Sequence, residues 1–97
     1  MKFWFAEKKL QNLYEFGKGA EKFPPGVVNA FFELVATIRA SADERVLRSN
    51  KGARLEKLRR PGRDHSLRLN SQFRLIIEFS EHDGETWVDI KAIEDYH

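Results

Sequence analysis

A change of hydrophobic period near the middle of the chain constrains its fold most. Val27, Val28, Phe31, Phe32, Leu34, Val35 and Ile38 recur at three- and four-residue intervals. That spacing gives a helix a wide apolar face, suited to a sheet or a partner helix. After residue 66 the interval becomes two. Leu67, Leu69, Phe73, Leu75, Ile77 and Phe79 share one side of an extended chain, and Ser66, Arg68, Arg74 and Glu78 share the other. Helices followed by strands, rather than alternating with them, indicate an α+β architecture with two packed layers.

The remaining segments fit around this division. Residues 2–5 are expected to form a short edge strand. Residues 6–16 read as a first helix, with Leu10, Leu13 and Tyr14 on one face and Gly17-Lys18-Gly19 ending it. Pro24-Pro25 opens the second helix, because proline suits a first turn. Residues 41–53 read as a polar loop. Asp83-Gly84 is a hairpin turn, and a strand over 86–94 follows. Trp4 and Trp87 are expected in the core, and His82 in the turn is expected to be merely solvated. One domain, residues 1–97, is expected, since a chain of 97 residues supports one core.

The loop after Leu69 permits a deduction about register. Leu69 and Phe73 must both face the core. A three-residue loop, Asn70-Ser71-Gln72, sets Leu69 opposite Phe73, Leu67 opposite Leu75, and Arg68 opposite Arg74. A two-residue loop would set Leu69 against Arg74. Two guanidinium groups therefore face each other on the outer side. Like charges so placed are destabilising unless an anion or a carboxylate lies between them. Phosphate suits the planar fork of arginine. The alternative is bridging by Glu56, Glu78 or Asp95.

Charge is segregated behind a net value of +2. Residues 43–74 hold ten Lys/Arg and four Asp/Glu, whereas residues 75–97 hold one Lys and seven Asp/Glu. The middle block reads as an anion-binding stretch, against the plainer reading of a solvated charged face. There is no cysteine, which excludes disulfides and thiolate metal sites and fits a reducing cytoplasm. The histidines, at 65, 82 and 97, lack metal-ligand spacing. No apolar stretch is long enough to span a bilayer, and the start is too charged for a signal peptide. Neither metal nor cofactor is expected, and no membrane partner.

Chemistry-bearing residues collect in three places. The chain closes on Asp95-Tyr96-His97, directly after the strand-like run Trp87–Ile93. Upstream stand Leu55-Glu56-Lys57-Leu58-Arg59-Arg60 and His65-Ser66-Leu67-Arg68-Leu69-Asn70-Ser71-Gln72-Phe73-Arg74. RNA can be cut without metal when its 2′-hydroxyl attacks the adjacent phosphate. A base must take that proton, cations must stabilise the phosphorane, and an acid can protonate the leaving oxygen. Glu56, His65, Asp95 and His97 are candidate proton carriers. Lys57, Arg59, Arg60, Arg63, Arg68 and Arg74 are candidate cations. Tyr96 can stack on a base or donate its hydroxyl. His97 titrates near neutrality and has Asp95 close by to orient it. The plainer readings are that Glu56 neutralises nearby arginines and that His65 is a surface residue.

These segments resemble the HigB toxins, a branch of the RelE/ParE superfamily of bacterial toxin–antitoxin systems. The shared pattern is Leu-Glu-x-Leu, a basic loop with Gly62, Ser-hydrophobic-Arg-hydrophobic-Asn-x-Gln-aromatic-Arg over 66–74, and the terminal Asp-Tyr-His. The resemblance implies a RelE-like fold, with two N-terminal helices packed on a small, mainly antiparallel sheet. It implies a toxin that cuts translated mRNA in the ribosomal A site, neutralised by a helix-turn-helix antitoxin of the HigA type that alone contacts operator DNA. It assigns backbone contact near the scissile bond to Arg68 and Arg74, phosphate binding to Arg59, and proton transfer to His97 with Asp95 and Tyr96. Lys57, Arg60, Arg63 and His65 would line the RNA. Some relatives carry His where this chain has Glu56, so Glu56 and His97 both stand as candidates for the base. Two rivals are a ParE-like gyrase inhibitor and a non-catalytic RNA- or ribosome-binding module.

Overall fold

The computed structural model describes residues 1–95; Tyr96 and His97 lie outside the described residues. Strand β1 (Lys2–Phe5) is followed by helix α1 (Lys8–Phe16), a single 3₁₀ turn at Ala20–Lys22 and helix α2 (Val27–Ala40). A short helix α3 (Glu44–Ser49) then leads to strands β2 (Glu56–Lys57), β3 (His65–Arg68), β4 (Phe73–His82) and β5 (Glu85–Asp95). The sheet order is β1-β5-β4-β3-β2; only the β1–β5 pairing is parallel. This is the expected α+β arrangement.

The helices cover one side of the sheet. On α2, Val27, Phe31, Leu34, Val35 and Ile38 are buried, the i, i+4, i+7, i+8, i+11 stripe that the sequence sets up. They meet Leu10 and Leu13 of α1 and Leu67, Leu75, Ile77, Val88 and Ile90 of the sheet in one cluster. α1 ends at Gly17, whose φ of 67° suits glycine and whose N–H returns to the Leu13 carbonyl at 3.0 Å. α2 starts at Val27, later than the prolines suggest, after a Gly26 cap.

Residues 41–53 are not simply the polar loop expected. Asp43 caps α3 by accepting from the Val46 N–H at 3.1 Å, and Glu44 pairs with Arg48 one turn on. Leu47 drops into the core with no exposure. A helix this short shows too few turns for its period to register.

The β3–β4 register is the one deduced: Leu67 faces Leu75, and Arg68 faces Arg74. Asn70 holds the loop, its side-chain oxygen accepting from Gln72 N–H at 2.8 Å and Phe73 N–H at 2.7 Å. Between β4 and β5, Asp83 and Gly84 both have positive φ, as a two-residue hairpin requires. A bulge follows in β5: Ile76 pairs with Ala92 and Ile77 with Ile90, leaving Lys91 unpaired. Ile90 and Ile93 thus both reach the core, with Lys91 and Ala92 on the other side.

Trp4 and Trp87 are not in the core. Phe3 and Phe5 take the inward positions of β1, so Trp4 points outward and is 42% exposed. Its ring lies 4.7 Å from that of Trp87. His82 is more than solvated, packing edge-on against Trp4 at 4.8 Å.

Candidate functional site

Among the described residues no helix covers the outer side of the sheet, and the alternation of β3 and β4 assigns Ser66, Arg68, Arg74 and Ile76 to it. Yet Ser66 and Ile76 are each only 2% exposed. The segment 58–64 runs beside them, with Leu58, Arg59 and Arg60 lining the same groove. Two ionic anchors hold it down. Arg60 donates to both oxygens of Glu94 at 3.1 and 3.3 Å, and to Asp64 at 2.9 Å. Lys91, freed by the bulge, donates to Asp64 at 2.7 Å and reaches Glu78 at 3.5 Å. Asp64 is the joint of this network, and its side chain is only 13% exposed.

The charges respond to one another. The Lys91 bond, aided by Arg60, holds the Asp64 carboxyl below the usual aspartate range against the cost of its burial. Asp64 raises Lys91 in turn, and Glu94 followed by Asp64 raises Arg60. All three stay charged at neutral pH.

Beside this strap lies a groove of about 380 Å³. Ser66 and Ile76 line it from the sheet, with Glu56, Lys57, Arg59, Arg60, Arg74 and Glu94 around them. The Arg74 guanidinium donates to the Asn70 carbonyl at 2.9 Å, which fixes it at the hairpin. Arg68, directly across from it, forms no ion pair among the described residues, nor do Lys57, Arg59 and Arg63. Glu78 is engaged by Lys91, and Asp95 accepts from Gln72 at 3.1 Å at the same hairpin.

The structure thus brings Glu56, Lys57, Arg59, Arg60 and Arg74 to one groove; Arg68 is in register with Arg74 but does not line that groove, lining instead a separate cavity with Glu33 and Thr37 of α2. Arg60 faces the groove but spends its donors on Glu94 and Asp64, making it an anchor before it is a ligand. Arg63 sits exposed on the strap. His65 is not in the groove. It alternates with Ser66, lies on the helix side, and packs edge-on against Phe79 at 5.1 Å. Its Nδ1 lies 3.1 Å from the Arg63 carbonyl, and since a carbonyl only accepts, Nδ1 carries the proton. The proton carriers expected at Tyr96 and His97 lie outside the described residues. Asp95, two residues from the end, closes β5 opposite Phe73.

Sequence reasoning missed Asp64, Lys91 and Glu94. Their partners lie 27 and 34 residues away in two cases, and no local pattern marks them. One signal was available: two residues separate the apolar Ile90 and Ile93, a break in alternation that announces the bulge and thereby the turning of Lys91 outward.

Comparison with known proteins gives the family and the fold. A family model described as "RelE-like toxin of type II toxin-antitoxin system HigB" matches residues 3–97. Among solved structures, the chain is similar to a YoeB/ParE toxin from Agrobacterium tumefaciens, with a TM-score of 0.66 over 100% of both chains at 14% identity. At that identity the likeness is one of fold. Comparison with curated proteins finds no match.

Proposed function

The chain belongs to the HigB-like family of RelE-like toxins of type II toxin–antitoxin systems, and from that premise we propose that it is a ribosome-dependent mRNA endonuclease. An antitoxin partner follows from the family, and a helix-turn-helix protein of the HigA type is the one we infer. The observation that carries the nuclease reading is the groove that gathers Arg74, Arg59 and Glu56, with Arg68 in register with Arg74 on the neighbouring strand.

A phosphate seated there would receive the planar donors of the two arginines. The same groups oppose the extra negative charge of the phosphorane when the 2′-oxygen attacks. Arg59, with no internal partner among the described residues, approaches from the strap. Glu56 sits in register with Ser66, on the side of the sheet that bears the arginines, where a base must stand to take the 2′ proton. His97, with Tyr96 and Asp95, is the second proton carrier, and it follows β5, the strand next to Arg74. The groove is small, and the ribosome would supply the positioning of the mRNA, which lowers the barrier further.

Translation of a short mRNA in a purified bacterial system tests this, with a parallel reaction lacking ribosomes. Cuts inside A-site codons that leave a 2′,3′-cyclic or 3′-phosphate, and appear only with ribosomes, are expected. Intact mRNA in the presence of folded, antitoxin-free protein would refute the reading. Inhibition of gyrase supercoiling would then identify the ParE-like alternative. RNA binding without cleavage would identify a non-catalytic module.

A further inference from the structure

The outer face of the sheet has a second end, away from the groove, with a different chemistry. Trp4 of β1 and Trp87 of β5 lie with ring centroids 4.7 Å apart and planes tilted by 35°. Trp4 is 42% exposed, among the few large apolar side chains of the described residues left so open. Asp89 pairs with Trp4 on one side and with Glu78 on the other, giving a row of indole, carboxylate and carboxylate across three strands. Glu85 stands beside Trp87 on the same side of the sheet, two residues earlier.

The cations near this row are already engaged. Lys91 is held by Asp64 at 2.7 Å. Lys2 pairs with Glu85 at 3.2 Å and lies 5.6 Å from the centre of the Trp87 ring. Asp89 forms no ion pair among the described residues; its one hydrogen bond is a long one from Ser80 at 3.4 Å. Burial, reinforced by Glu78, pushes the Asp89 carboxyl up from the usual range. Like charges directly opposite in a sheet are destabilising; Lys91 reaches Glu78 at 3.5 Å, and with His82 it offsets the rise only in part, so Asp89 itself keeps no ion pair among the described residues.

We propose that this end of the face is a docking surface for a basic segment of a protein partner, which lays an arginine or lysine on the Trp4–Trp87 pair and reaches Asp89. A cation over an indole is favourable, arginine most often, and Lys2 on Trp87 shows the contact in place within the chain itself. A carboxylate beside the rings adds the charge that such a segment needs. Nucleic acid is the poorer occupant: the indoles could stack on bases, but Glu78, Glu85 and Asp89 would face the phosphates. β1 and β3 are three strand spacings apart, roughly 14 Å, so the two ends can be occupied together. The proposal is independent of the nuclease reading.

The test uses the full chain and follows the indole N–H resonances of Trp4 and Trp87. Titrants are a short Gly/Ser peptide bearing spaced arginines, its glutamate counterpart, and an oligo(U) RNA. The arginine peptide is expected to shift both indoles saturably, while the other two leave them in place. Asp89→Asn, nearly isosteric, is expected to weaken that binding about tenfold, equivalent to roughly 1.4 kcal/mol. Trp4→Ala is expected to abolish the Trp87 shift, and Arg74→Ala to leave it unchanged. The proposal is overturned if the RNA moves the indoles and the arginine peptide does not, or if Asp89→Asn binds the peptide as well as the parent.

Discussion

Replacing Asp64 with asparagine keeps the shape of the joint that pins the strap and removes its charge. Asp64 accepts from Lys91 at 2.7 Å and from Arg60 at 2.9 Å. A hydrogen bond to a charged group, when shielded, is worth about 1.5–3 kcal/mol. Here the carboxylate is well covered, but Lys91 is 37% exposed, so solvent screening brings that contact toward the surface range of about 0.2–1 kcal/mol. A loss of about 1 kcal/mol is expected, a fall of roughly 4–8 °C in Tm for a domain of this size. The sign of its pH dependence follows from the lowered folded pKa of Asp64. Its stabilisation is fully present above the ordinary aspartate value of about 3.9 and is lost as pH falls through the lower folded value. Thermal unfolding of parent and variant, followed by circular dichroism across this range, should give a gap that is widest at neutral pH and closes in acid. A gap that persists unchanged in acid, or is missing at neutral pH, would refute the assignment of Asp64 as an ionised joint.

Ile76→Ala should cost about 2–4 kcal/mol in urea unfolding, because Ile76 is buried on the otherwise open side of the sheet; a surface-like cost below about 0.5 kcal/mol would mean that this residue is not closed off from water. Arg74→Ala should lower ribosome-dependent cleavage about a hundredfold and relieve growth arrest, with Arg68→Ala and deletion of His97 acting in the same direction while near-UV circular dichroism stays native. Full toxicity in all three would place the chemistry elsewhere. Gly17→Ala should destabilise by about 1 kcal/mol, since alanine resists the left-handed conformation that ends α1; unchanged urea unfolding would count against that cap.

The hairpin register was legible because two local constraints coincide. Leu69 and Phe73 must both be buried, and three residues stand between them, so a single pairing survives and carries Arg68 onto Arg74. The second helix was legible for a similar reason, with apolar residues at four turns of one period. Where only one residue decides, the sequence is mute. α3 buries Leu47 alone. In β1, Phe3 and Phe5 alternate with a lysine and a tryptophan, and the large apolar ring of Trp4 hides which face is inward until Phe3 and Phe5 are seen filling the core. The strap depends on Arg60 meeting Glu94 and Lys91 meeting Asp64, contacts between distant segments that no local pattern announces.

The same long-range pairs give the charge segregation a structural meaning. The basic block and the acidic C-terminal strands are not two separate surfaces. Arg60 and Lys91 each cross between them, and the two crossings fix the strap beside Ser66 and Ile76. What remains after those pairings is sorted by position. Arg59, Arg63 and Arg68 are left without internal ion pairs among the described residues, on the strap and the neighbouring strand. Asp89 is left without one near the far edge. An anion is therefore favoured at one end of the sheet and a cation at the other. Had the charges been spread evenly along the chain, neutralisation within the fold would have consumed both. The polarity of this face is thus a consequence of the order of residues in the chain, read through a mainly antiparallel sheet that sets β3 and the basic segment before it on one side of β4 and the acidic strand β5 on the other.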